Sequence, residues 1–125
     1  MSVVVRLPDV PVILDPSDVR TVVFDWDDDN LASGVQISTS TFTITAVKQS
    51  GLTALTKDNP AILTAAEATT ALERTVSVAS RATRVRLIAT TASDGDEYQL
   101  ANAIVTNESP TQTKERSVTV LIQNR

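Results

Sequence analysis

Cysteine and histidine are both absent from the 125 residues, and glycine occurs three times. Without cysteine no disulfide frame can hold the fold. Without either residue there is no thiol or imidazole nucleophile–base pair and no thiolate or imidazole zinc site. The side chain that titrates nearest neutral pH is missing too. So few glycines leave no room for a phosphate-cradling loop. Aromatic residues make up 3% of the chain, too few for a platform that stacks bases or sugars. Basic excess is lacking as well. Eleven Lys and Arg stand against fifteen Asp and Glu, a net charge of −4, and phosphate backbones need the opposite balance. No apolar run approaches the roughly 20 residues of a membrane-spanning helix. The stretch from Met1 to Leu14 carries Arg6 and two prolines, and is not read as a signal peptide. These absences predict no enzyme, no cofactor, no nucleic-acid partner and no membrane partner.

What remains is rich in Thr, Val, Ala and Ser, with hydrophobic residues at 42% and charged residues at 21%. That is the composition of one ordinary globular domain. Val and Thr are β-branched and suit a pleated, half-buried surface. In Val19 to Trp26 the apolar row Val22/Phe24/Trp26 alternates with Thr21/Val23/Asp25. Thr41 to Val47 sets Phe42, Ile44 and Ala46 against three threonines, and Thr113 to Gln123 sets Val118, Val120 and Ile122 inward. Alternation of period two is the mark of a strand with one covered face. Further strands are expected at Val35 to Ile37, Leu52 to Thr56, Arg74 to Ala79, Arg84 to Thr90 and Glu97 to Thr106. The turn chemistry of Asp15-Pro16-Ser17-Asp18, Asp58-Asn59-Pro60 and Ser93-Asp94-Gly95-Asp96 separates them. Thr64-Ala65-Ala66-Glu67 has the spacing of a capping box, so a short helical turn is allowed within residues 60–74. Residues 1–14, with Pro8 and Pro11, are expected to form an extended N-terminal arm or an edge strand. Seven to eight short strands with turns every ten or so residues predict a single all-β antiparallel sandwich over residues 15–125.

Several blocks also stand in a recognisable order. They are Leu14-Asp15-Pro16-Ser17-Asp18, Val22-Val23-Phe24-Asp25-Trp26, Ser40-Thr41-Phe42, Arg84-Val85-Arg86-Leu87, Asp94-Gly95-Asp96-Glu97-Tyr98, Asn102, and Glu115-Arg116-Ser117-Val118-Thr119-Val120. From Leu14 to Ile122 this order resembles a family of short tailed-bacteriophage proteins. Its pattern is a DP…DW opening, a G-x-x-Y turn into a long strand and an ER-S-V-x-V ending. The chain departs from it at Phe42, where the family often has Trp, and at Val23, where an aromatic is usual. The stretch from about Leu52 to Ser80 is longer than in the shortest relatives. The resemblance implies an immunoglobulin-like (Ig-like) virion structural protein, partnered by a major capsid protein or by neck or tail proteins. It also implies a homo-oligomer or multicopy assembly.

Candidate sites follow from charge and position. Asp25, Asp27 and Asp29 have the first three spacings of a calcium loop. Asn30 then stands where glycine is needed and Gln36 where the bidentate Glu should be, so no metal is expected. Asp27, Asp28 and Asp29 read instead as a solvated acidic loop that could face a basic patch on a neighbour. Arg74, Arg81, Arg84 and Arg86 form a local basic group, with Arg84 and Arg86 on one outer face; they could supply such a patch or discourage edge-to-edge pairing. Val3, Val4, Val5 and Arg6 are the interface candidates of the arm. Phe24, Trp26, Phe42, Tyr98 and Asn102 are expected in the core. Tyr98 is expected with its hydroxyl tied to backbone, as in the tyrosine corner of Ig-type domains. Asn102 is expected to be buried and hydrogen-bonded to backbone.

Three function classes are weighed. The first is a virion structural protein, favoured as a capsid-associated decoration or stabilising protein, with a tail, neck or head-fibre component as its alternative. The second is an adhesion module binding a host-surface glycan or protein, which needs an exposed aromatic or metal-lined loop. The third, an enzyme, has no supporting constellation.

Overall fold

The computed structural model describes residues 2–5, 10–27, 31–50, 55–90 and 94–123. Eight strands and one helix follow in the order β1 (Ser2–Val5), β2 (Val12–Leu14), β3 (Val19–Asp25), β4 (Ile37–Lys48), β5 (Thr56–Ile62), α1 (Ala65–Leu72), β6 (Ala82–Ile88), β7 (Glu97–Thr106) and β8 (Thr113–Ile122). They form two four-stranded sheets, β1-β3-β6-β5 and β2-β8-β7-β4. With β3 to β8 read as strands B to G, the first sheet has the A-B-E-D order of constant-type immunoglobulin domains. The second has the G-F-C order with β2 added at its edge. The all-β sandwich expected from periodicity is therefore the observed architecture, and its strand order is Ig-like.

The N-terminal segment is divided between the sheets. β1 lies parallel to β3, with Val3 opposite Val22, and β2 lies parallel to β8, with Val12 opposite Val120. The remaining pairings, β3 with β6, β5 with β6, β4 with β7 and β7 with β8, are antiparallel. Val3, Val4 and Val5 are thus members of an edge strand, and Val5 is buried in the core. They do not reach away as an arm. Arg6 lies outside the described residues.

Between the sheets the inward rows interlock. β7 alternates without a break, with Tyr98, Leu100, Asn102, Ile104 and Thr106 buried. Phe24 meets Phe42 across the sandwich edge to face, with ring centroids 5.8 Å apart, a favoured aromatic geometry. Trp26 and Tyr98 are the largest fully buried side chains.

A second, smaller core lies on the outer face of the first sheet. Val23, Leu63, Ala68, Leu72, Val76 and Ala82 pack together there under α1. The helix starts as its sequence spacing predicts. The Glu67 amide donates to Thr64 Oγ1, and the Glu67 carboxylate accepts from the Thr64 amide. That reciprocal pair satisfies two of the orphan donors of the first turn. Glu73 ends the helix in the left-handed region, with φ of 56°. This extra layer explains one error of the alternation pattern. Val23 and Asp25 belong to the row expected to face solvent, yet both are buried because α1 and its flanks cover them.

Other boundaries differ for local reasons. Asp58-Asn59-Pro60 was expected to turn but lies within β5. A bulge between Asp58 and Ala61 absorbs Asn59, at φ of 49°. An edge strand with a bulge is where a proline is tolerated. Val35 to Ile37 is no separate strand; Ile37 begins the twelve-residue β4. Arg74 to Ala79 forms no strand either. It crosses from α1 to β6 as irregular chain, while nearby Ser80 pairs with Leu63 and Ile37 by backbone hydrogen bonds.

Candidate functional site

The charged and polar side chains of interest converge where β3 ends and β6 begins. Asp25 is the last residue of β3 and is fully buried. Both of its carboxylate oxygens accept from Arg74, at 2.8 Å from Nη1 and 3.0 Å from Nη2. Arg74 also donates to Asp27 Oδ2 at 2.9 Å. The other Asp27 oxygen takes 2.6 Å from Arg81 Nε. Arg81 then spends its Nη1 on the carbonyls of Ala32 and Val35, at 2.9 and 2.6 Å. One planar fork thereby ties the loop after residue 30 to the end of β3, a task suited to arginine rather than lysine.

Burial opposes the charge on Asp27, but the hydrogen bonds from Arg81 and Arg74 outweigh it. They hold its carboxyl below the ordinary 3.8. The Asp25 hydrogen bond, working against desolvation, raises Arg74 above its usual value. Asp27 is therefore ionised at neutral pH with its oxygens occupied by guanidinium donors, which makes it a poor base. A metal ion at Asp25 and Asp27 would have to displace Arg74. Among the described residues no group of three or more acidic side chains has the geometry of a metal site. Asp28 and Asp29 lie outside the described residues.

Behind this ion-pair cluster runs a buried polar network. Trp26 Nε1 donates to Asn102 Oδ1 at 2.8 Å, and Thr83 Oγ1 donates to the same oxygen at 2.6 Å. Asn102 Nδ2 donates to Ser40 Oγ at 2.8 Å and to the Thr41 carbonyl at 3.2 Å. An indole nitrogen can only donate and a carbonyl can only accept, so the orientation of the carboxamide is fixed. Thr83 belongs to the first sheet and Trp26 directly follows its strand β3, while Ser40 and Asn102 belong to the second, so the carboxamide pins the sheets together. The backbone contact expected for Asn102 is one of four; the others are side chains. The guanidinium of Arg116 lies over the Trp26 ring, 5.6 Å from its centroid, and Nη1 reaches the Asp25 carbonyl at 3.3 Å. That stacking is a cation–π contact in a nearly dry setting.

Tyr98 occupies the second position of β7, where Ig-type domains place their corner tyrosine. Its hydroxyl donates to Asp96 Oδ2 at 3.1 Å and also takes a backbone hydrogen bond from Leu55. Burial, reinforced by the Asp96 carboxylate, pushes the phenol up from 10.0. Asp96 is itself buried and accepts from the Ser50 amide and hydroxyl, both at 2.9 Å. It acts as a structural fastener between the β4–β5 connection and the start of β7.

Arg84 and Arg86 do share the outer face of the first sheet, but their partners lie in the same chain. Arg86 forms a bidentate pair with Asp58, at 2.7 and 2.6 Å, and Arg84 lies 3.5 Å from Glu67. The Asp58 carboxyl is held below 3.8 by the Arg86 hydrogen bond. Asp27, Arg84 and Arg86, expected as candidates for pairing with a neighbour, each also have an ion-pair partner within the chain. A groove of about 780 Å³ runs beside them between α1 and the outer face of the sheet, over Val4, Val23 and Leu63. Its charged members are those already paired, apart from Glu73.

Two participants could have been read from their rows and were missed. Arg116 stands in the inward row that continues through Val118, Val120 and Ile122, and Thr83 in the row of Val85 and Leu87. A polar residue on an apolar row is the signal of a buried network. Comparison with protein-family models and with curated proteins finds no match for this chain.

Proposed function

We propose that the chain is a structural component of a tailed-bacteriophage virion, serving as a capsid-associated decoration or stabilising protein. One observation carries the reading. The residues on which the phage resemblance rests are scattered through the sequence, yet Asp25, Trp26, Asn102 and Arg116 converge on one buried network. A pattern written in fold-holding residues belongs to a module selected for its shape and rigidity. The surrounding chemistry supports the same view. The carboxylates of Asp25, Asp27 and Asp96 are engaged with guanidinium, hydroxyl or amide donors, which leaves them structural work. Trp26 and Tyr98, the aromatics an adhesion site would need on its surface, are both inside.

The test is the abundance of the chain in purified particles, measured by mass spectrometry against labelled peptides. On the order of hundreds of copies per particle supports a place on the capsid, as icosahedral symmetry demands many equivalent sites. About three, six or twelve copies would move it to the neck or tail. Absence from purified particles overturns the proposal.

A further inference from the structure

The four sheet edges are not treated alike. β1 and β2 are four and three residues long. β5 is broken by a bulge, by Pro60 and by the positive φ of Asn59, and it carries Lys57 and Asp58. Shortness, bulges, proline and charge are the devices by which proteins keep an edge from pairing. β4 is long, and between Thr39 and Ala46 it has no bulge, proline or charge. It is the edge strand of the second sheet, twelve residues long. Its ladder with β7 is unbroken from Thr39 to Ala46, with irregularities confined to the two ends. From Ile37 to Val47 there is no charged residue, glycine or proline.

We infer that the outer edge of β4 from Thr39 to Ala46, which has no strand beside it among the described residues, is an interaction surface for a second copy of this chain, joined by antiparallel β4–β4 pairing about a two-fold axis. The chemistry favours a copy over a different partner because the strand is complementary to itself. A two-fold axis normal to the sheet sets each residue opposite one on the same face, with the axis passing through one position. The exposed row Thr39, Thr41, Thr43, Thr45 and Val47 has Thr43 at its middle. Centred there, Thr41 faces Thr45 of the other copy, and Val47, 56% exposed in the single chain, is covered by Thr39. The stretch from Ile37 to Val47 holds no charged residue, so no like charges meet in the ladder although each chain carries −4. Threonine pairs across antiparallel strands are favourable, and an interface of this kind is isologous. It also closes at two copies. Each chain offers one such edge, and the far edge of the same sheet is the three-residue β2.

The experiment is sedimentation equilibrium on the full chain, with far-UV circular dichroism to confirm the fold. The wild-type chain has a mass twice that of one chain, falling to one on dilution. Thr43→Lys, which sets like charges against each other at the axis, weakens association by at least about tenfold with an unchanged spectrum. Mixing Thr43→Lys with Thr43→Asp restores the dimer, which a merely structural effect of either substitution would not do. Should Thr43→Lys misfold, Thr45→Lys mixed with Thr41→Asp provides the second pair. A wild-type chain that stays monomeric at about 1 mM, a mass beyond two chains, or a lysine variant that associates as tightly as wild type overturns the inference.

Discussion

Replacing Asn102 by alanine tests the central fastening of the sandwich. Asn102 is fully buried, and its Oδ1 accepts hydrogen bonds from two other fully buried groups, the Trp26 indole and the Thr83 hydroxyl. Truncation leaves both donors without an acceptor, at about 1–3 kcal/mol each, and the vacated volume adds about 1 kcal/mol. The Thr83 hydroxyl can rotate to recover part of its share, while the Trp26 nitrogen cannot turn without moving the ring. The expected cost is therefore about 3–5 kcal/mol. Against a total stability of about 5–15 kcal/mol that is severe but survivable, and it lowers Tm by roughly 12–20 °C at about 4 °C per kcal/mol. Urea unfolding followed by tryptophan fluorescence is the natural assay, since Trp26 is the single tryptophan and wholly buried. A cycle with Thr83→Val sharpens the reading. Alone, Thr83→Val costs about 1 kcal/mol; in the Asn102→Ala background it removes an orphaned hydroxyl and costs nothing or stabilises. A loss below about 1 kcal/mol for Asn102→Ala, or additivity within about 0.5 kcal/mol, would refute the network as the pin between the sheets.

Other perturbations separate the contributions of the remaining polar groups. Arg74→Ala removes the bidentate partner of the buried Asp25 carboxylate and should cost about 2–3 kcal/mol, less than a fully buried pair because Arg74 is partly exposed; differential scanning calorimetry reads it as a lower Tm. Thr64→Ala removes the cap of α1 and should cost about 1 kcal/mol, measured by the urea midpoint. Acid weakens the fold with a definite sign. Asp27 and Glu67 are held below their ordinary 3.8 and 4.5, so the unfolded chain takes up protons first as pH falls. Their contribution is complete above those ordinary values and is lost as pH drops through the lower folded ones. Urea midpoints between pH 7 and pH 3 should fall accordingly, and less steeply in Asp27→Asn.

Much of this fold was legible wherever one sheet face met the core and the other met water. The bounds of β7 were read correctly, because Tyr98 to Thr106 alternates without interruption. The capping box of α1 was equally plain, since both of its hydrogen bonds are local in sequence. Errors arose where a third layer intervened. Asp25 sits in an outward row by period two, and no local rule announces that Arg74, 49 residues away, will cover it. Asp27 was expected in a solvated acidic loop for the same reason, and is held by arginines. Its answering guanidinium groups come from the chain between α1 and β6, a segment misread as a strand. The basic group of Arg74, Arg81, Arg84 and Arg86 was visible, but its partners Asp25 and Asp27, Asp58, and Glu67 lie on three separate segments that only the folded chain assembles.

The division of the N-terminal segment between the two sheets also sets a timetable for folding. β2 has no lateral partner among the described strands except β8, and Val12 must wait for Val120. During synthesis β2 cannot take its place until β8 has emerged, so the second sheet is completed late, whereas β1 needs only the nearby β3. A contact spanning over a hundred positions of sequence slows folding through the entropy of closing so long a loop. Release of β8 frees β2, and with it the near end of the chain whose other half, β1, borders the opposite sheet.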